Sequence, residues 1–197
     1  MVCFTESLLF IHIPKNAGTS VTFFLSQKTK LTGYKQGSEH IRYNDLIKKL
    51  PKLKKLKSFC IVKNPFDRLT SIYRFTKRPF KLRKWFKSDY EKIQIKISTF
   101  ESFLEFIEDY TLQDKFHPML TWRNQHEWAE GVDHIFKFEK LHEVQLFLNN
   151  QGIEGKLTKM NISNDNNIGY RQYYTQRTKK KIENIFKEDL NKFNYQF

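Results

Sequence analysis

Cysteine is nearly absent from this chain, Cys3 and Cys60 being the only two. One near the N-terminus and one inside an apolar stretch exclude a disulfide framework and a CxxC metal site, so no metal centre is expected. Long apolar runs are missing as well. The stretch from Leu8 to Ile13 is too short to cross a membrane. Residues 1–7 lack the basic segment of a signal peptide, and a cytoplasmic protein without a membrane span is expected. No internal repeat and no linker-like stretch interrupts the chain, and 197 residues that are 39% hydrophobic, with 19 Phe, suit one domain over 1–197. Acidic residues are scarce: 21 Asp and Glu face 35 Lys and Arg, a net charge of +14. Such an imbalance points to an anionic partner, whether nucleotide, nucleic acid, acidic glycan or membrane surface. No RNP, zinc or helix-turn-helix pattern accompanies it, so a specific nucleic acid partner is not expected and a basic nucleic-acid-binding module is only an alternative. The runs Lys48-Lys49, Lys52 to Lys57 and Lys179-Lys180-Lys181 read as solvated helix faces.

What is present begins with Leu8-Leu9-Phe10-Ile11-His12-Ile13-Pro14-Lys15-Asn16-Ala17-Gly18-Thr19-Ser20. This reads as strand, anion-binding loop and helix. The loop collects backbone N–H groups, a glycine, the hydroxyls of Thr19 and Ser20 and the Lys15 ammonium near a helix N-terminus, where partial positive charge favours phosphate. The nucleoside-triphosphatase pattern GxxxxGK[ST] is missing, because Lys15 precedes Gly18 by three positions, and a P-loop kinase-type phosphotransferase becomes a second alternative. A second strand runs into a helix at Phe59-Cys60-Ile61-Val62-Lys63-Asn64-Pro65-Phe66-Asp67-Arg68-Leu69-Thr70-Ser71-Ile72-Tyr73-Arg74-Phe75. Pro65 suits the first helical turn and Asp67 the positive end, while Leu69, Ile72 and Tyr73 form an apolar stripe. Arg68 and Ser71, three residues apart, share one face of that helix.

Together the two segments resemble the PAPS-dependent sulfotransferases, specifically the membrane-type and bacterial carbohydrate sulfotransferases with signatures close to IPKxAGTS and VRNPxxRLxSxY. The resemblance implies that Pro14, Lys15, Asn16, Ala17, Gly18, Thr19 and Ser20 hold the 5′-phosphosulfate, and that Lys63, Arg68 and Ser71 form the 3′-phosphate set. Lys63 departs from the family's usual Arg, so a bidentate fork becomes a point charge. The likeness continues through residues 132–141 and through the closing segments Asn161-Ile162-Ser163, Tyr170-Arg171-Gln172-Tyr173-Tyr174 and 189–197. It adds Tyr170 and Arg171 to the cofactor-binding set. The implied cofactor is PAPS (3′-phosphoadenosine 5′-phosphosulfate), with adenosine 3′,5′-bisphosphate as product and a hydroxyl-bearing acceptor, a glycan, as partner.

Periodicity and punctuation predict strands at 8–13, 31–36, 58–63 and 133–137. Helices are expected at 18–28, 42–50, 65–77, 99–110, 140–150 and 175–192, with 117–129 helical or irregular. Alternating strands and helices imply an α/β fold, a P-loop-like three-layer α/β/α arrangement with a central parallel sheet, whose ligands bind at the carboxyl ends of the strands.

Sulfuryl transfer to a hydroxyl requires a base for the acceptor proton and a cation for the leaving phosphate oxygen. Lys15 suits the second role. His12 lies in the first strand and reads as packing; His126, His134 and His142 have no companion motif. The resemblance places the base at His40, just before Ile41-Arg42-Tyr43-Asn44-Asp45-Leu46. His117, in Phe116-His117-Pro118-Met119, is similar to a His-x-x-Pro-Gln acceptor-side element with the His shifted and Gln replaced by Met119. Beside it, Trp122 and Arg123 offer a stacking face and a cation for a sugar or an anionic acceptor.

Overall fold

The computed structural model describes residues 2–30, 32–34, 40–77, 97–112, 122–158 and 169–197. In chain order the elements are β1 (Val2–Phe4), β2 (Leu8–Ile11), α1 (Gly18–Lys28), β3 (Thr32–Tyr34), α2 (Tyr43–Lys49), a 3-10 turn (Pro51–Lys55), β4 (Lys57–Val62) and α3 (Pro65–Thr76). After them come α4 (Phe100–Leu112), α5 (Gln125–Ala129), β5 (His134–Lys137), α6 (Leu141–Asn150), a 3-10 turn (Tyr170–Tyr173), α7 (Gln176–Ile185) and α8 (Lys187–Lys192). The backbone groups into two compact units, Met1–Lys63 with Asn124–Ile162 and Asn64–Arg123 with Ser163–Phe197. Among the described residues no helix is long and apolar enough to cross a membrane.

The first unit holds a five-stranded sheet in the order β3-β1-β2-β4-β5. Strands β2, β4 and β5 run parallel. Strand β1 pairs antiparallel with both β2 and β3, so the sheet is mixed rather than parallel throughout. The sequence reading missed β1, a three-residue strand too short to show a period. Its turn into β2 is fixed by Thr5, whose hydroxyl accepts the Leu8 N–H at 3.0 Å while its own N–H donates to the Leu8 carbonyl at 2.9 Å. Every residue of β2 and all of β4 but Lys57 are buried, the expected state of parallel strands covered on both faces. On one face Leu8, Phe10, Phe59 and Ile61 pack with Val21, Phe24 and Leu25 of α1 and Val144 and Leu148 of α6. The side chains on the other face, Leu9, Ile11, Cys60 and Val62, are equally dry, and burial pushes the Cys60 thiol far above its ordinary range.

The second unit is helical. Phe66, Leu69 and Ile72 of α3, Phe103, Leu104 and Ile107 of α4, and Ile182 with Phe186 beyond α7 share one apolar cluster. Helix α3 starts where the sequence predicts it: Asn64 Oδ1 accepts the Phe66 N–H at 3.1 Å and Pro65 occupies the first turn. Helix α7 opens on a capping box between Thr175 and Thr178. The single helix expected over 175–192 is instead two. Phe186 leaves helical geometry at φ −107°, ψ 23° and is buried in the cluster, so the chain bends there before α8.

Candidate active site

The loop after β2 leaves the sheet at the carboxyl end of a parallel strand. Lys15 (φ 69°) and Ala17 (φ 61°, ψ 14°) both take left-handed backbone conformations, with Asn16 between them on the ordinary side of φ. For residues with a Cβ each such conformation costs on the order of 1–3 kcal/mol and persists only where the surroundings enforce it. Left-handed backbone of this kind is what brings successive N–H groups to one side in an anion nest. Helix α1 then begins at Gly18 with no side-chain cap, because its N-cap is Ala17. Its first-turn N–H groups have no intrahelical acceptor and suit a phosphate-type oxygen. Of the two hydroxyls, Ser20 is buried and Thr19 exposed. Gly18 has a function the sequence did not suggest: a Cβ there would lie 1.8 Å from the His12 ring, so glycine is what lets that imidazole lie against the helix start.

Asn16 and Gln125 hold the loop to the sheet. Asn16 is 1% exposed, and its Nδ2 donates to the Ile61 carbonyl at 2.8 Å and to Gln125 Oε1 at 2.7 Å. Gln125, wholly buried, also grips the main chain of Lys63, accepting its N–H at 2.8 Å and donating from Nε2 to its carbonyl at 2.8 Å. Lys63 is therefore fixed through its backbone, and its ammonium stands 4.3 Å from the centroid of the Phe138 ring. Sequence reasoning missed Gln125. A buried amide spent on backbone groups carries no periodic signal, and its segment was read only as helical or irregular.

His40 lies beside His12, ring centroids 4.6 Å apart and nearly perpendicular. Its Nδ1 is 3.1 Å from the His12 carbonyl oxygen. A carbonyl only accepts, so Nδ1 carries the proton; in the neutral ring that assigns the lone pair to Nε2, the tautomer a general base requires. Burial first, then the neighbouring His40 and Lys15, hold the His12 imidazole well below its ordinary pKa, which favours the neutral ring. The chain just past His40 is anchored by Arg42, which donates to Asp45 at 2.7 Å and to Glu127 of α5 at 3.3 Å. Its guanidinium is held charged chiefly by the hydrogen bond to Asp45. Trp128, also on α5, meets the His40 ring edge-on at 6.3 Å.

The remaining candidates belong to the second unit. Arg68 is 1% exposed, and its Nη1 donates to the carbonyls of Arg123 at 2.8 Å and Trp122 at 3.4 Å. Ser71 is half-buried one turn further along α3. Trp122, 4% exposed and edge-on to Phe106 at 5.9 Å, sits in the apolar cluster, where its ring packs against core residues. Tyr170 packs edge-on to Phe197 at 5.8 Å, and the Arg171 guanidinium lies 4.9 Å over Tyr170 and 5.7 Å over Phe197. His117 and Asn161-Ile162-Ser163 lie outside the described residues.

No curated protein and no solved structure matches the chain. One family model, described as the sulfotransferase family, matches residues 1–196. That span takes in the loop after β2, His40, the end of β4 and helix α3 together: the chain belongs to the sulfotransferase family, and is a transferase of sulfuryl groups.

Proposed function

We propose that the chain moves a sulfuryl group from PAPS to a hydroxyl of a carbohydrate acceptor, releasing adenosine 3′,5′-bisphosphate, within one P-loop-like α/β/α domain over 1–197. The observation that carries this reading is the first unit's combination of a helix start without a side-chain cap, left-handed backbone at Lys15 and Ala17, and an imidazole at His40 whose Nδ1 faces a carbonyl. The donor set fits a phosphosulfate: N–H groups and an ammonium for anionic oxygens, with Pro14 to Ser20 supplying the cradle. In the reaction the bond between sulfur and the bridging phosphate oxygen breaks and a bond from sulfur to the acceptor oxygen forms. His40 Nε2 takes the acceptor proton, and Lys15 neutralises the leaving phosphate oxygen.

The resemblance assigns the 3′-phosphate to Lys63, Arg68 and Ser71, and further nucleotide contacts to Tyr170 and Arg171. Arg123 and His117 are the acceptor-side candidates. No carboxylate pair accompanies the phosphate loop in the sequence, and transfer should survive a chelator. Thermal shift tests the nucleotide assignment. Adenosine 3′,5′-bisphosphate should stabilise the protein markedly more than AMP or ATP, and equal shifts would contradict it.

A further inference from the structure

We propose that Gln125 is a positioning residue that ties the loop after β2 to the end of β4, so that the 5′-phosphosulfate cradle and Lys63 of the 3′-phosphate set meet the nucleotide as one rigid piece. This rests on the PAPS reading above. Gln125 uses its carboxamide as a miniature strand. It accepts the Lys63 N–H and donates to the Lys63 carbonyl, both at 2.8 Å, which continues the β4 ladder one residue past Val62 by means of a side chain. The same Oε1 takes one Asn16 proton at 2.7 Å while the other Asn16 proton goes to Ile61 of β4 at 2.8 Å. Loop and strand end are thereby bridged twice, once directly and once through Gln125.

Asn16 Oδ1 is buried without a hydrogen-bond partner, and no side chain caps α1. Two residues hold left-handed conformations that only their surroundings enforce. Removing Gln125 would take the acceptor from the second Asn16 proton and both side-chain hydrogen bonds from the main chain of Lys63, in a buried setting where such losses are costly. The residue also starts α5, whose Glu127 binds Arg42 and whose Trp128 meets His40. One five-residue helix thus touches the phosphate loop, the strand end and the segment carrying the imidazole.

Rigid coupling has a signature distinct from ordinary destabilisation. When two subsites are fixed relative to each other, a ligand that fills both gains from the second contact without a further ordering cost. The readout is the ratio of AMP to adenosine 3′,5′-bisphosphate dissociation constants, measured by calorimetry on wild type, Gln125→Leu and Gln125→Glu. A loss of folded protein scales both constants alike and leaves the ratio unchanged. Gln125→Leu should shrink the ratio about tenfold, a change of about 1.4 kcal/mol in coupling. Gln125→Glu keeps the acceptor for Asn16 and the Lys63 N–H but loses the donor to the Lys63 carbonyl, and should fall between; it decides the matter if the Leu variant does not fold. A wild-type ratio retained in the folded variants would overturn the inference alone. Equal affinities for the two nucleotides in the wild type would overturn the PAPS reading and the inference with it.

Discussion

A methyl group added to Gly18 would meet the His12 imidazole at 1.8 Å, so the Gly18→Ala change must move either the helix start or the ring. Overpacking of this kind costs about 1–3 kcal/mol, and here it also displaces the neighbour of His40. Gly18→Ala should therefore lower both the melting temperature and turnover, and adding His12→Ala should recover part of the lost stability. A double variant that loses the full sum of the two single changes would show that the ring is not what the methyl meets. His12 also makes stability depend on pH. Its folded pKa lies below the ordinary 6.5, so an unfolded chain gains a proton at pH values where the folded one does not. The stabilising contribution is complete above about 6.5 and is lost as pH falls from there toward the folded value. Denaturant midpoints followed from pH 7 to pH 5 should drop in wild type and drop less in His12→Phe. At Lys63 the ammonium already stands over Phe138, a surface a planar guanidinium would stack on. Lys63→Arg should keep or tighten the affinity for adenosine 3′,5′-bisphosphate. Lys63→Ala should weaken it by an amount on the order of 1.5–3 kcal/mol, read by calorimetry.

At the scale of elements, an acid just before β5 ties its start to β4 in addition to the strand ladder. Asp133 Oδ2 accepts both the N–H and the hydroxyl of Ser58 at 2.7 Å, and the Ser58 hydroxyl in turn accepts the Asp133 N–H at 2.9 Å. The hydrogen bond from the Ser58 N–H, against some burial, lowers the carboxyl's pKa below its ordinary value. That contribution is present above the ordinary carboxylate range and vanishes as pH falls through the folded value. Asp133→Asn should consequently flatten acid unfolding below about pH 4, a window separate from that of His12. Elements whose order follows from local pattern were legible in the sequence: β2, β4 and β5 from their apolar runs, α1 and α3 from the loop and Pro65 that open them. What pairs at long range was not. β1 exists because β2 and β3 flank it, and the bend at Phe186 exists because that ring enters the helical cluster, neither of which periodicity records. The site divides the same way. The anion loop, Lys63 and His40 were visible as motif and resemblance, whereas Gln125 and the packing of His12 on Gly18 depend on residues brought together from distant positions. The expected stacking face at Trp122 is committed to packing with Phe106.

Across the whole molecule the net charge of +14 rests on cations that outnumber the acids. Lysines paired with acids add nothing to it, as where Lys179 pairs with Glu183 at 3.7 Å and Lys181 with Glu108. The lysines of the 43–57 segment, Lys48, Lys49, Lys52, Lys54, Lys55 and Lys57, are exposed. Exposed charge of one sign speeds the approach of anions and is screened by salt. Nucleotide association should slow as ionic strength rises from 0.01 to 0.15 M, and stopped-flow binding would show it. The central claim is that the nucleotide elements bind while His40 performs the proton transfer. Its most direct test is transfer of labelled sulfate from PAPS to a panel of glycans and simple hydroxyl compounds by wild type and His40→Ala, with affinity for adenosine 3′,5′-bisphosphate measured on the same preparations. The account predicts transfer by wild type and a roughly 10²- to 10⁴-fold slower rate in His40→Ala at unchanged nucleotide affinity. Near-normal transfer by His40→Ala, or no transfer by wild type to any hydroxyl, would contradict it.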